Sequence, residues 1–115
     1  MTKYFAKKTA CSNGHLHASK REAKRCDQLH LLQRGREIEG LTIEPKFEFV
    51  INGKPLVHDN GRKVGIKPDF SYFENGNFVV EEVKAASPRA RGRDYALRKA
   101  VFRALFPHID YREIT

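Results

Sequence analysis

With 115 residues, 40% of them apolar, the chain has room for one domain with one modest core, and it is too apolar for a disordered tail. A net charge of +8 and a pI near 9.7 give it a positive field that suits a polyanion such as nucleic acid, or an acidic membrane surface. No stretch approaches the roughly 18 apolar residues of a membrane span and no signal-peptide core is present, so the expected address is the cytoplasm, with Cys11 and Cys26 as free thiols.

Lys8 to Cys11 and His15 to His17 flank the turn signal Ser12-Asn13-Gly14, which predicts a small hairpin within an N-terminal extension over residues 1–18. Ser19 and Glu22 form an S-x-x-E capping box, and Ala23, Cys26, Leu29 and Leu32 recur at helical spacing until Gly35, which predicts a helix. Leu41 to Ile51 reads as one strand with Ile43, Phe47, Phe49 and Ile51 on one side, ended by Asn52-Gly53. Pro55 to Gly65 reads as a loop with its turn at Asp59-Asn60-Gly61. Ile66 to Glu74 and Asn77 to Lys84 flank Asn75-Gly76, the dipeptide of a two-residue hairpin turn. A second helix, with Leu97, Val101, Ala104 and Leu105 as apolar positions, ends before Pro107, and Ile109 to Ile114 alternates as a last strand. The order helix, three strands, helix, strand is an α/β arrangement, αβββαβ, with one mixed sheet between helices.

The register of the 66–84 hairpin sets Glu74 opposite Asn77, Ser71 opposite Val80, and Asp69 opposite Glu82. Opposed side chains share a face with Cβ atoms roughly 4.5–5.5 Å apart, where like charges destabilise a sheet unless a cation lies between them. A divalent metal held by carboxylate oxygens is the natural candidate. Lys84 follows two residues after Glu82 and so points to the same side.

Pro68-Asp69 with Glu82-Val83-Lys84, in this order of elements, resembles the PD-(D/E)XK nuclease superfamily. The runs Ser19 to Arg25, Lys67 to Phe70, Glu82 to Lys84 and Tyr95 to Lys99 are similar to those of small phage and prophage nuclease-like, Holliday-junction-resolvase-like proteins within it. The resemblance implies one restriction-endonuclease-like domain over residues 1–115. It also implies a Mg²⁺-dependent endodeoxyribonuclease, with Mn²⁺ as substitute, acting on duplex or branched DNA in a bacterial or phage-infected cell. Asp69 and Glu82 become metal ligands, Val83 lends its carbonyl, and Lys84 is the catalytic lysine. Glu22, on the first helix, is either a further ligand or only the capping-box acid. A homodimer would set two sites on two strands. A non-catalytic nucleic-acid-binding module on the same scaffold stays open as the alternative, as does action on RNA.

Basic residues concentrate in two segments. Lys3, Lys7, Lys8, Lys20, Arg21, Lys24 and Arg25 stand against Glu22 alone, and Lys84, Arg89, Arg91, Arg93, Arg98, Lys99 and Arg103 against Asp94 alone. Lys20, Lys24, Arg89, Arg91, Arg93, Arg98 and Lys99 are the candidate phosphate contacts; solvated helix faces explain the helical ones equally well. Cys11, His15, His17 and Cys26 can be drawn as a zinc site, but their spacing is irregular and a hairpin plus helix start accounts for them, so zinc is not expected. His58-Asp59-Asn60 lacks a second histidine at ligand spacing, and Glu44-Pro45 stands where Gln-Pro is more familiar in the phage-type pattern.

Overall fold

The computed structural model of the chain describes residues 8–84 and 94–115. Their architecture is a small mixed α/β fold. A four-stranded sheet carries β3 (Glu39–Ile43), β8 (Phe70–Glu74), β9 (Asn77–Val83) and β10 (Asp110–Ile114) in the spatial order β10-β9-β8-β3. β8 pairs antiparallel with β3 and β9, whereas β10 runs parallel to β9 after a helical crossover, as parallel neighbours require. The helices are α1 (Lys20–Arg34) and α2 (Tyr95–Leu105).

Alternation along β8 and β9 divides the side chains between two cores. Phe70, Tyr72, Val79 and Val83 pack against Ala23, Cys26 and Leu29 of α1, and Val80 packs with Phe49, Ile66 and Phe102 of α2. The hairpin forms in the expected register from Glu74 against Asn77 to Phe70 against Glu81, with Asn75 and Gly76 at the positive φ values of 52° and 78° that the turn demands, but the expected pair of Asp69 with Glu82 does not form, because Asp69 also bonds to Glu81. α1 begins where its cap predicts: the Glu22 N–H donates to Ser19 Oγ at 3.2 Å. The Glu22 carboxylate accepts from the Ala18 N–H at 3.3 Å, closing the box one residue earlier than the usual pattern.

Three further expectations need correction. Leu41 to Ile51 is not one strand. Glu44 adopts φ 51° ahead of Pro45, so the chain breaks into β3, β4 (Phe47–Glu48) and β5 (Val50–Ile51), and only Phe49 of the final run is fully buried while Ile51 is exposed. The stretch read as a loop is partly paired: β6 (Lys54–Pro55) returns on β5, Val57 bridges Lys63, and β7 (Gly65–Ile66) pairs with β4. Gly65 permits that last pairing, because a Cβ there would stand 2.2 Å from the Phe47 carbonyl oxygen. On α2, Leu97 is exposed and Phe102 is buried, since Tyr95 and Phe102, two turns apart, define the inward face. At the other end, β1 (Thr9–Ala10) and β2 (Leu16–His17) form the expected small hairpin. Its turn is tied to α1 by Asp27, which accepts from the Ser12 N–H at 2.8 Å and the Ser12 hydroxyl at 3.1 Å.

Candidate active site

Asp69 lies where β8 begins. Its N–H donates to the Glu81 carbonyl at 3.0 Å although Phe70 is already the partner of Glu81, so the strand bulges at Asp69. A bulge re-aims a side chain. Asp69 Oδ2 here accepts the Val83 N–H at 2.7 Å, bolting the carboxylate to the end of β9. Buried Pro68, just before it, fixes the approach of the chain.

The Asp69 carboxyl is pushed up to about 8, first by burial, then by the charge of Glu82, then by the charge of Glu22, with which it also shares a hydrogen bond; the Val83 N–H opposes the shift. A hydrogen bond between two carboxyls needs a proton, which the raised Asp69 carboxyl supplies. Glu22 caps the helix through its backbone, and its carboxyl meets Asp69. Glu82 shares a face with Val80 and Phe78, on the α2 side, where its charge also reaches the Tyr95 hydroxyl. Asp69 thus meets the Glu22 carboxyl and feels the charge of Glu82.

Lys84 stands one residue beyond β9 and is exposed. Its N–H donates to the Ile114 carbonyl at 2.6 Å and its carbonyl accepts from Arg21 at 3.3 Å, so the backbone is pinned from both sides. Among the described residues, no ion pair ties its ammonium to the three acids. Lys99 lies 3.0 Å from Glu113 Oε2, which also accepts from the Tyr95 hydroxyl at 2.8 Å. Glu113 is the register partner of Glu82 on the parallel strand, a fourth acid beside the site that sequence reading missed because only the crossover brings β10 there. Arg98 pairs with Asp94 one turn before it, and Lys20 and Lys24 are exposed on α1. Arg89, Arg91 and Arg93 lie outside the described residues.

Two further features were not legible in the sequence. Glu81 is fully buried on the α1 side, where Arg25 grips it with two hydrogen bonds of 2.8 and 2.6 Å and the Tyr72 hydroxyl donates to it. Arg25 was one of several basic residues in a run; only the packing singles it out. The second is a cavity of about 650 Å³ on the α2 side, lined among others by Lys46, His58, Arg62, Lys63, Lys67 and Arg98. Most of these come from the middle of the chain, where charges nearly balance in sequence. Their acids are partly used up, Glu48 lying 4.0 Å from Lys46 and 3.6 Å from Lys63.

A small mixed α/β fold with an acid cluster at one end of its hairpin and a basic cavity beside α2 is what the described residues define. Over residues 1–115 the chain matches the family model described as "Protein of unknown function (DUF1064)", and it belongs to that family. Comparison with the curated proteins and with the solved structures gives no match. No helix among the described residues is long and apolar enough to cross a membrane.

Proposed function

We propose that the chain is a metal-dependent endodeoxyribonuclease on a restriction-endonuclease-like fold, holding Mg²⁺ or Mn²⁺ among Asp69, Glu82 and Glu22 and hydrolysing DNA phosphodiester bonds. The observation that carries this reading is the Asp69 carboxyl, desolvated and raised to about 8 beside two other carboxyls. Near neutral pH a proton relieves this crowding, and a cation would take its place as the Asp69 carboxyl ionises. The donors are hard oxygens, which suit Mg²⁺ or Mn²⁺ and not softer metals. Bound there, the cation would supply Lewis-acid stabilisation of the phosphate and make the attacking water more acidic.

The chain's own residues do the rest. The Val83 N–H orients the Asp69 carboxylate, and the pinned backbone of Lys84 leaves its ammonium able to reach a phosphate oxygen or orient the water. Water adds to phosphorus, one ester P–O bond breaks, and an alcohol and a phosphate monoester leave. Lys46, Arg62, Lys63, Lys67 and Arg98 line the cavity that would take the DNA backbone. Lys99 pairs with Glu113, as Lys46 and Lys63 do with Glu48, Lys67 with Glu44 and Arg98 with Asp94, so a phosphate would displace an acid at each of them. Neutralising Arg62 and Lys67 together is expected to flatten the dependence of log K on log salt by about 2, roughly one unit per lost phosphate contact; an unchanged slope would remove the cavity from the interface.

A non-catalytic nucleic-acid-binding module is the second reading, favoured by the basic cavity, which can hold a nucleic-acid backbone without any chemistry. Incubation with linear duplex, single-stranded, flap and four-way-junction DNA, and with duplex RNA, with and without Mg²⁺ or Mn²⁺, separates the two. Cation-dependent cutting of DNA that Asp69→Asn abolishes and Lys84→Ala slows is the expected result. Undiminished cutting by both variants would strip these residues of their roles, and binding without cutting on every substrate would establish the module.

A further inference from the structure

The β1–β2 hairpin and the start of α1 bring Cys11, His15, His17 and Cys26 together with one potential ligand atom from each, all within 4.8 Å of one another. We propose that these four residues form a structural zinc site that fastens the hairpin to α1. Its four ligands are not those of the nuclease reading, although Glu22 lies between the two, beside His17 and beside Asp69.

The distances are those of a coordination shell. His15 Nδ1 lies 3.6 Å from Cys11 Sγ and 3.5 Å from Cys26 Sγ. In a tetrahedral site with Zn–S of about 2.3 Å and Zn–N of about 2.05 Å, the edge between a sulfur and a nitrogen is about 3.6 Å. His17 supplies the second, independent observation. It is 2% exposed, and its Nε2 is buried with no hydrogen-bond partner among the described residues, a rare and costly condition for a ring nitrogen. Glu22 Oε2 occupies the Nδ1 side at 3.8 Å, which leaves Nε2 as the nitrogen for a metal. A carboxylate behind a ligating histidine is the usual outer partner in zinc sites.

Two thiols and two imidazoles select zinc over the hard cations suited to Asp69. His30 is excluded although its Nδ1 lies 3.6 Å from Cys26 Sγ, because that nitrogen is engaged with the Cys26 carbonyl at 2.9 Å. The site also has a structural reason to exist. A hairpin of two two-residue strands is not stable alone, and here it is joined to α1 by the Asp27 hydrogen bonds and by this cluster. The sequence spacing, three, one and eight residues between successive ligands, hid the set; the turn at Ser12-Asn13-Gly14 closes it in space.

The test uses the full chain, purified reduced and without chelator. Metal analysis is expected to find one zinc per chain, and X-ray absorption two sulfur ligands near 2.3 Å with two nitrogens near 2.05 Å. Co²⁺ substitution should give the visible bands of a tetrahedral thiolate site. His17→Ala and Cys26→Ser should each weaken zinc binding more than about tenfold, and His30→Ala should not. Because a ligand variant can fail to fold, the absorption spectrum of the unaltered chain decides on its own. Absence of zinc after reconstitution, a shell without sulfur, or a folded Cys26→Ser variant with undiminished affinity would each overturn the proposal.

Discussion

Asp69→Asn is expected to abolish cleavage and, in chelator, to make the protein more stable. The stability effect follows from the direction of the Asp69 shift. Its carboxyl is raised from an ordinary 3.8 to about 8 in the folded chain, so the folded state binds a proton that the unfolded state releases. That advantage is complete below about pH 4 and is lost as pH rises through about 8. Asparagine keeps an oxygen for the Val83 N–H and carries no charge, so it avoids the loss. In EDTA the two proteins should unfold at similar denaturant concentrations near pH 4, and the variant should gain on the order of a few kcal/mol by pH 8. Mg²⁺ should restore the wild type and leave the variant unmoved. The activity loss should reach about a thousandfold, since an ion that stabilises phosphate charge contributes several kcal/mol to the transition state. Equal unfolding curves for the two proteins at pH 8 in chelator would show that the acids do not repel one another.

Arg25→Ala is expected to cost about 3–5 kcal/mol of stability, the loss that follows when one partner of a buried ion pair is removed. Glu81 is fully buried, and Arg25 is the cation that compensates it, through two hydrogen bonds. With the guanidinium gone, a carboxylate stays behind without its counter-charge. The same contact lifts Arg25 above its ordinary pKa, chiefly through the Glu81 hydrogen bonds, and Tyr72 is raised too, chiefly by burial and then by Glu81. Denaturant unfolding of Arg25→Ala, and of Arg25→Ala combined with Glu81→Gln, measures the effect. The double variant should recover more than half of the loss, because it removes the stranded charge as well. A single variant within 1 kcal/mol of the wild type would mean that Glu81 finds relief elsewhere, with Arg112, 3.4 Å from the Tyr72 hydroxyl, the nearest candidate.

What could be read from the sequence was local. Asn75-Gly76 dictates a two-residue turn, and the turn dictates the register as far as Phe70 against Glu81; the bulge at Asp69, which takes that residue out of the expected pair with Glu82, was not legible. The Ser19 cap likewise placed Glu22 at the head of α1. What was missed depends on the path of the chain through space. The break at Glu44-Pro45 scattered an apparently continuous strand, because a positive φ ahead of a proline outweighs alternation. Glu81 carries no signal of its own in the sequence, and only the facing of α1 onto that side of the sheet buries it. The Cys/His cluster follows no regular spacing, and a short turn assembles it nevertheless. The lysines and arginines of the basic cavity come from segments whose charges nearly cancel along the chain.

The central claim is that Asp69, Glu82 and Glu22 form a seat for a hard divalent cation. Calorimetric titration of Mn²⁺ into the chelator-stripped chain at pH 6 and pH 8, beside Asp69→Asn and Glu22→Gln, addresses it directly. Saturable binding is expected, tightening with pH as the Asp69 proton is displaced, lost in Asp69→Asn and weakened in Glu22→Gln. Binding that is unaltered in Asp69→Asn, or no binding to the wild type at either pH, would contradict it.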